Sequence, residues 1–230
     1  MTARAQTQEA RLWRELVAGR RSIRRYESEP LPAETVERLI EAARWAPSAH
    51  NRQPWRFALL DAPAWKERLA RAMGARLRSD RLADGDAASA IEADVARSYA
   101  RITEAPLAIV IALDMAEMDR YPDERRRRAE YLMAVQSTAM ATQNLLLAAH
   151  AEGLGACWMC APLFCPETVA SAIGLPSAWE PQALVTLGRP ASAGKPGVRK
   201  PVAAMLWRPP AAMADAGQLS AGREGASRRA

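Results

Sequence analysis

The sequence predicts an α+β fold in which helices surround one sheet. Three observations carry this. Helical and strand-like stretches follow one another in mixed order, without the regular strand–helix alternation of a parallel sheet. Two short apolar runs rich in branched residues, APLAIVIALD (105–114) and PQALVTLG (181–188), read as buried strands. Between them, the uncharged stretch from Tyr131 to Ala151 reads as the body of one long, buried helix suited to a subunit interface.

The elements follow in order. Residues 8–18 are helical in pattern and end near Gly19, and the basic stretch GRRSIRRY (19–26) comes next. In LPAETVERLIEAARWAP (31–47), Leu31 and Pro32 lead in, Val36, Leu39, Ile40 and Ala43 recur at helical spacing, and Pro47 stops the helix. PSAHNRQ (47–53) is a polar loop and WRFALLD (55–61) a strand. Helices over 64–79 and 86–104 are separated by a turn at Ala83-Asp84-Gly85. The long helix starts at or near Asp123, and Gly153 is its natural C′ residue. ACWM (156–159) is a short strand, PETVASAIGLP (166–176) a short helix capped by Gly174, and VAAMLW (202–207) a last strand. The tail over 209–230 is rich in Ala, Gly, Ser and Arg and predicts disorder, leaving one domain over 1–208.

Composition removes several classes. The net charge is +6, but only Lys66, Lys195 and Lys200 are lysines among the 32 basic residues, and alanine is abundant. That is a bias of composition rather than a nucleic-acid footprint. Arg125 to Arg128 lie between Asp123, Glu124 and Glu130, as on a solvated helix turn, and no aromatics interleave with the basic residues. The stretch from Tyr131 to Ala151 is long enough to span a bilayer, but Gln136, Ser137, Thr138, Thr142, Gln143, Asn144 and His150 make it too polar. No secretory signal opens the chain, so the cytoplasm is the expected compartment. No G-x-G-x-x-G joins a strand to a helix, and there is no P-loop.

All 3 cysteines lie in GLGACWMCAPLFC (153–165). Cys157, Cys160 and Cys165 with His150 lack the paired spacing of a zinc site, so no metal is expected. A redox dithiol works best at a helix start, whereas strand alternation puts Cys157 and Cys160 on opposite faces. Buried small hydrophobes are the plainer reading. Nothing supports a nucleophile relay around His50. Anion binding remains. Arg20, Arg21, Ser22 and Arg24 gather three guanidiniums and a hydroxyl, which suits a phosphate, and a second basic cluster, Lys195, Arg199 and Lys200, lies in a Gly/Pro loop. Ser48 and Asn51 offer hydrogen bonds to a polar ring system. A phosphate clamp without an evident general acid or base fits an enzyme whose cofactor carries the chemistry.

RRSIR (20–24), PSAHNRQPWRF (47–57), QNLLLAAHAEGLG (143–155) and LGRP (187–190) with the basic loop after it, in that order, resemble the nitroreductase family of FMN-dependent oxidoreductases over residues 14–207. A closer similarity is to the C-terminal nitroreductase-like domain of the bifunctional coenzyme F-420 biosynthesis enzyme. It is carried by SDRLADGDAASAIEADVARSYARITEAP, YPDERRRRAEYLMAVQSTAMATQNLLLA, GLGACWMCAPLFCPETV and LPSAWEPQALVTLGRP. The glutamate-ligase domain of that enzyme has no counterpart here, which implies a stand-alone reductase.

The resemblance implies a central, mostly antiparallel sheet and a homodimer with the long helix and two FMN sites at its interface. Arg20, Arg21, Ser22 and Arg24 would hold the phosphate and ribityl end, joined by Arg199 with Lys195 or Lys200. Ser48 and Asn51 would contact the flavin from the other subunit or the loop edge. Met159 and Cys160 would pass the ring's N5 and O4 edge, and Asp80 would bind substrate. The implied reaction is hydride transfer from FMN N5 to dehydro-F-420, with NAD(P)H as the electron donor. A broad NAD(P)H-dependent nitro or quinone reductase is the alternative, its general S-x-x-N-x-Q-P-W motif being intact here. A benzimidazole-forming, flavin-destroying enzyme and a non-catalytic flavin or deazaflavin carrier are further readings.

Overall fold

The computed structural model describes residues 7–209. They fall into two compact units that divide after Lys195. The first holds six helices and four strands: α1 (Gln8–Gly19), α2 (Ala33–Arg44), β1 (Trp55–Leu60), α3 (Pro63–Ala83), α4 (Ala88–Thr103), β2 (Leu107–Asp114), α5 (Glu124–Ala151), β3 (Gly155–Met159), α6 (Pro166–Ile173) and β4 (Trp179–Gly188). This is the α+β arrangement expected, and the sheet is antiparallel throughout in the order β1-β2-β4-β3.

The apolar runs set the middle of the sheet. All eight residues of β2 are buried, because helices cover both of its faces. On one face Ile109, Ile111, Val185 and Leu187 pack against Leu39 and Ala43 of α2 and Leu145, Leu146 and Ala149 of α5. On the other, Ala108, Val110 and Leu184 meet Leu69, Ala70 and Met73 of α3, Ile102 of α4 and Val169 of α6. Each such large side chain contributes about 1.5–3 kcal/mol by leaving water. Pro181 in β4 is accommodated by a bulge, in which Gln182 is left over between the Ile111–Ala183 and Ala112–Pro181 pairs.

The helix boundaries follow local chemistry. Asp123 caps α5, its carboxylate accepting the Arg126 amide at 2.9 Å. At the other end Gly153 is left-handed (φ 73°), and the Leu154 amide closes back onto Ala149 O at 2.8 Å. α1 is capped by Thr7 but buries none of its residues, so Leu12, Trp13 and Val17 remain exposed.

The second unit departs from expectation. VAAMLW does not form a strand: Val202–Met205 is a single 3₁₀ turn, closed by the Ala204 amide on Pro201 O at 3.0 Å. Pro201 fixes the entry φ, and the two alanines carry little β propensity to oppose the turn. The disorder expected over 209–230 lies, apart from its first residue, outside the described residues.

Candidate functional site

The site is built on β3, an edge strand. Ser22 pairs in parallel with Ala156, and the Ile23 amide donates to Ala156 O at 3.0 Å. The basic stretch therefore lies along the start of the β3 edge. Glycine at 155 is what permits this, since a Cβ there would stand 2.7 Å from the Ile23 side chain. Main-chain groups alternate along a strand. Trp158, two residues beyond Ala156, thus turns its own amide and carbonyl outward, past the point where Ser22 covers the edge. The Trp158 indole Nε1 is buried and has no hydrogen-bond partner among the described residues.

The arginines divide in role. Arg21 folds back, its Nη1 donating to the carbonyls of Ala18 (2.5 Å), Gly19 and Arg20 (3.0 Å each) at the end of α1. Arg24 gives one N–H to Ser22 O at 3.5 Å. Arg20 and Arg24 both bear on the Cys157 thiol, and so does Arg101 at the end of α4. Burial pushes that thiol's pKa up, and the three guanidiniums only partly offset it. Three cations, none with a carboxylate partner among the described residues, thus bear on one thiol of β3. Arg101 was not legible in the sequence: it reads as an ordinary basic residue in a last helical turn.

Met159, half-buried against the α3/α6 side of the core, ends β3, and the exposed Cys160 begins the turn after it. Met159 thus ends the strand along which Ser22 pairs, and Cys160 follows it directly. Cys157 and Cys165 are buried and all three thiols are free.

The Ser48–Gln53 loop is tightly held. His50, Asn51 and Gln53 all adopt left-handed φ (49°, 55° and 50°), a conformation that costs non-glycine residues free energy and gathers at functional sites. Ser48 Oγ accepts the Gln53 amide at 3.0 Å. Ser137 of α5 accepts the Ala49 amide at 3.4 Å and donates to Met133 O at 2.7 Å. Arg52 pairs with Asp119 at 2.6 Å, and the Asp119 amide is in turn held at 3.0 Å by the fully buried Glu130. This loop leads into β1, at the opposite edge of the sheet from β3. With about 4.8 Å between neighbouring strands, two intervening strands separate the edges by roughly 14 Å. Within one chain, Ser48 and Asn51 therefore do not join the arginines.

Asp80 lies on α3, where both its oxygens accept Arg76 Nε at 2.8 Å. It lines a small cleft of about 90 Å³ with Met73, Leu77, Phe164 and Cys165. Arg199 belongs to the second unit, where its Nη1 donates to Val198 O at 3.0 Å.

An antiparallel α+β sheet with an open edge strand, a guanidinium cluster beside it and no evident acid–base pair suits an enzyme whose chemistry rests on a bound cofactor. The nitroreductase family model matches residues 17–189, and the chain belongs to that family of flavin-dependent oxidoreductases. It is 33% identical to an NADH dehydrogenase of Thermus thermophilus, over 82% of this chain and 92% of that protein. It is 32% identical to the 5,6-dimethylbenzimidazole synthase of Rhodospirillum rubrum, over 74% of this chain and 78% of that one. Among solved structures it resembles a nitroreductase-type protein from Desulfovibrio desulfuricans in complex with FMN, with a TM-score of 0.66 and 27% identity over 90% of this chain and 99% of that chain. Among the described residues no helix is long and apolar enough to cross a membrane.

Proposed function

We propose that the chain is an NAD(P)H-dependent, FMN-containing reductase acting on small oxidised acceptors such as nitroaromatics and quinones. The observation that carries this is the convergence of Arg20, Arg24 and Arg101 beside the open edge of β3. The phosphate belongs at Arg20, Ser22 and Arg24. The ring lies along Trp158, Met159 and Cys160, where outward main-chain groups offer it hydrogen bonds. Bound FMN would supply hydride chemistry at N5. The protein's own part is to fix the phosphate, orient the ring and exclude water. The relatives named above support the donor: one is an NADH dehydrogenase.

The opposite-edge position of Ser48 and Asn51 supports a homodimer, in which a second copy brings that loop to the flavin. The apolar residues left exposed on α1 support it too: Leu12, Trp13 and Val17 need a cover.

A narrower reading, reduction of dehydro-F-420, rests on the Asp80 cleft beside Phe164 and Cys165, an acidic group next to an exposed aromatic. One experiment ranks the readings. FMN-loaded protein is given NAD(P)H anaerobically with menadione, a nitrofuran or dehydro-F-420, and turnover is followed. Turnover of the first two alone supports the broad reductase. Preference for dehydro-F-420, lost in Asp80→Ala, supports the narrow one. Failure of NAD(P)H to reduce bound flavin removes both, and release of 5,6-dimethylbenzimidazole from reduced FMN in oxygen replaces them.

A further inference from the structure

We propose that the cleft where α2 and α3 begin is a binding site for a small monocarboxylate with an apolar body. The cleft encloses about 420 Å³. Leu31, Val36, Leu59 and Leu107 form apolar walls. Lys66, only 5% exposed, stands among them. Its Nζ donates to the carbonyls of Ala105 and, at 3.2 Å, Pro106. An ammonium has three N–H groups, and no third acceptor is bonded to this one among the described residues. Capping two carbonyls accounts for neither the remaining proton nor the concave apolar space beside it.

Three further features fix the chemistry of the ligand. Ala33 and Pro63, the first residues of α2 and α3, both line the cleft, and neither helix has a capping side chain. Their N-terminal ends favour negative charge. Glu37 and Asp61 also line the cleft and are solvent-exposed. Two carboxylates so placed oppose any anion, and a phosphate dianion about twice as strongly as a single carboxylate. Burial lowers the Lys66 pKa and the nearby Asp61 opposes this only partly, so an anionic partner would restore the favoured ammonium. The apolar walls then select a hydrocarbon or aromatic body behind the carboxylate.

The test is calorimetric titration of the FMN-loaded protein with 4-phenylbutyrate and with its uncharged amide. The expected result is one saturable site for the acid, with the amide weaker by at least about tenfold. The flavin absorption spectrum should not move, and residues 28–37 and 61–66 should gain protection from hydrogen exchange. Lys66→Met should abolish the preference for the acid. Because that variant also loses its two carbonyl contacts, Leu59→Glu serves as the second probe. Leu59 is 47% exposed, so the variant should melt as the parent does and yet bind the acid at least about tenfold more weakly. The proposal is overturned by equal binding of acid and amide, or by undiminished binding in Leu59→Glu. It is equally overturned by no saturable heat up to about 10 mM, or by a shifted flavin spectrum, which would put the acid at the flavin instead. None of these outcomes depends on which acceptor the flavin reduces.

Discussion

Ser48 Oγ accepts the amide of Gln53 at 3.0 Å and so closes a loop in which three non-glycine residues take left-handed backbone. The hydroxyl holds a conformation that the chain would otherwise relax. Ser48→Ala removes that bond, a loss of about 1 kcal/mol. If the loop meets the flavin of a second copy, FMN affinity should fall roughly five- to tenfold. Ser48→Thr, which keeps the oxygen, should restore it. Flavin fluorescence titration reads both, and an unchanged Kd in Ser48→Ala would separate this loop from the cofactor.

The arginine cluster makes a stronger prediction. Charge-assisted hydrogen bonds are worth about 1.5–3 kcal/mol each, so Arg20→Ala with Arg24→Ala should raise the FMN Kd by roughly a hundredfold or more and release the yellow colour on dilution. Arg101→Ala alone should weaken binding by about tenfold. Arg21→Ala should act differently. Its guanidinium serves the end of α1, so the melting temperature should fall while FMN affinity changes by less than about threefold. Equal effects of Arg20 and Arg21 on affinity would contradict this division.

The thiols should separate by burial rather than by motif. Cys160 is exposed, Cys157 and Cys165 are buried, and burial pushes the pKa of both buried thiols up. One thiol per chain should react promptly with a disulfide reagent at neutral pH, with the other two at least about tenfold slower until denaturant is added. Cys157→Ser and Cys160→Ser should both retain FMN. Loss of flavin from either, or two fast thiols, would revive a chemical role for the pair.

Most elements were legible because their signals are local. Val36, Leu39 and Ala43 repeat at helical spacing, Asp123 and Gly153 bound α5 by capping chemistry, and Gly85 and Gly174 mark turns by positive φ. The run at 202–207 misled because an apolar hexapeptide carries no signal for its partner, and a proline before it favoured a turn. The site was legible in part. RRSIR announces cations, but not that Arg21 is turned back onto a helix end, since that depends on where α1 stops. Arg101 reaches the cluster only through the packing of α4. The strain at His50, Asn51 and Gln53 is not announced by composition: Asn and His visit positive φ more readily than most residues, but Gln gives no such signal, and three such positions in four residues depend on the loop's own hydrogen bonds.

Tyr26 should set the alkaline limit of stability. Its hydroxyl donates within reach of Ile23 O (2.5 Å) and Thr186 O (3.0 Å) and shares a bond with Thr186 Oγ1 (2.8 Å), tying the basic stretch to β4. Burial raises its pKa well above the usual tyrosine value of 10.0, and the hydrogen bond from Thr186 offsets this only in part. The folded state therefore keeps the phenol proton where the unfolded chain gives it up. The Tyr26 contribution is fully present below pH 10 and is lost as pH rises toward the folded value. Cys157 and Cys165, also raised, act in the same direction from about pH 9. Tyr26→Phe should cost about 1–3 kcal/mol at neutral pH, through the carbonyls it leaves bare. It should also flatten the fall in stability above pH 10, so that parent and variant converge. Urea unfolding at a series of pH values reads this directly, and a constant gap between the two proteins from pH 7 to 11 would show that the phenol proton plays no part.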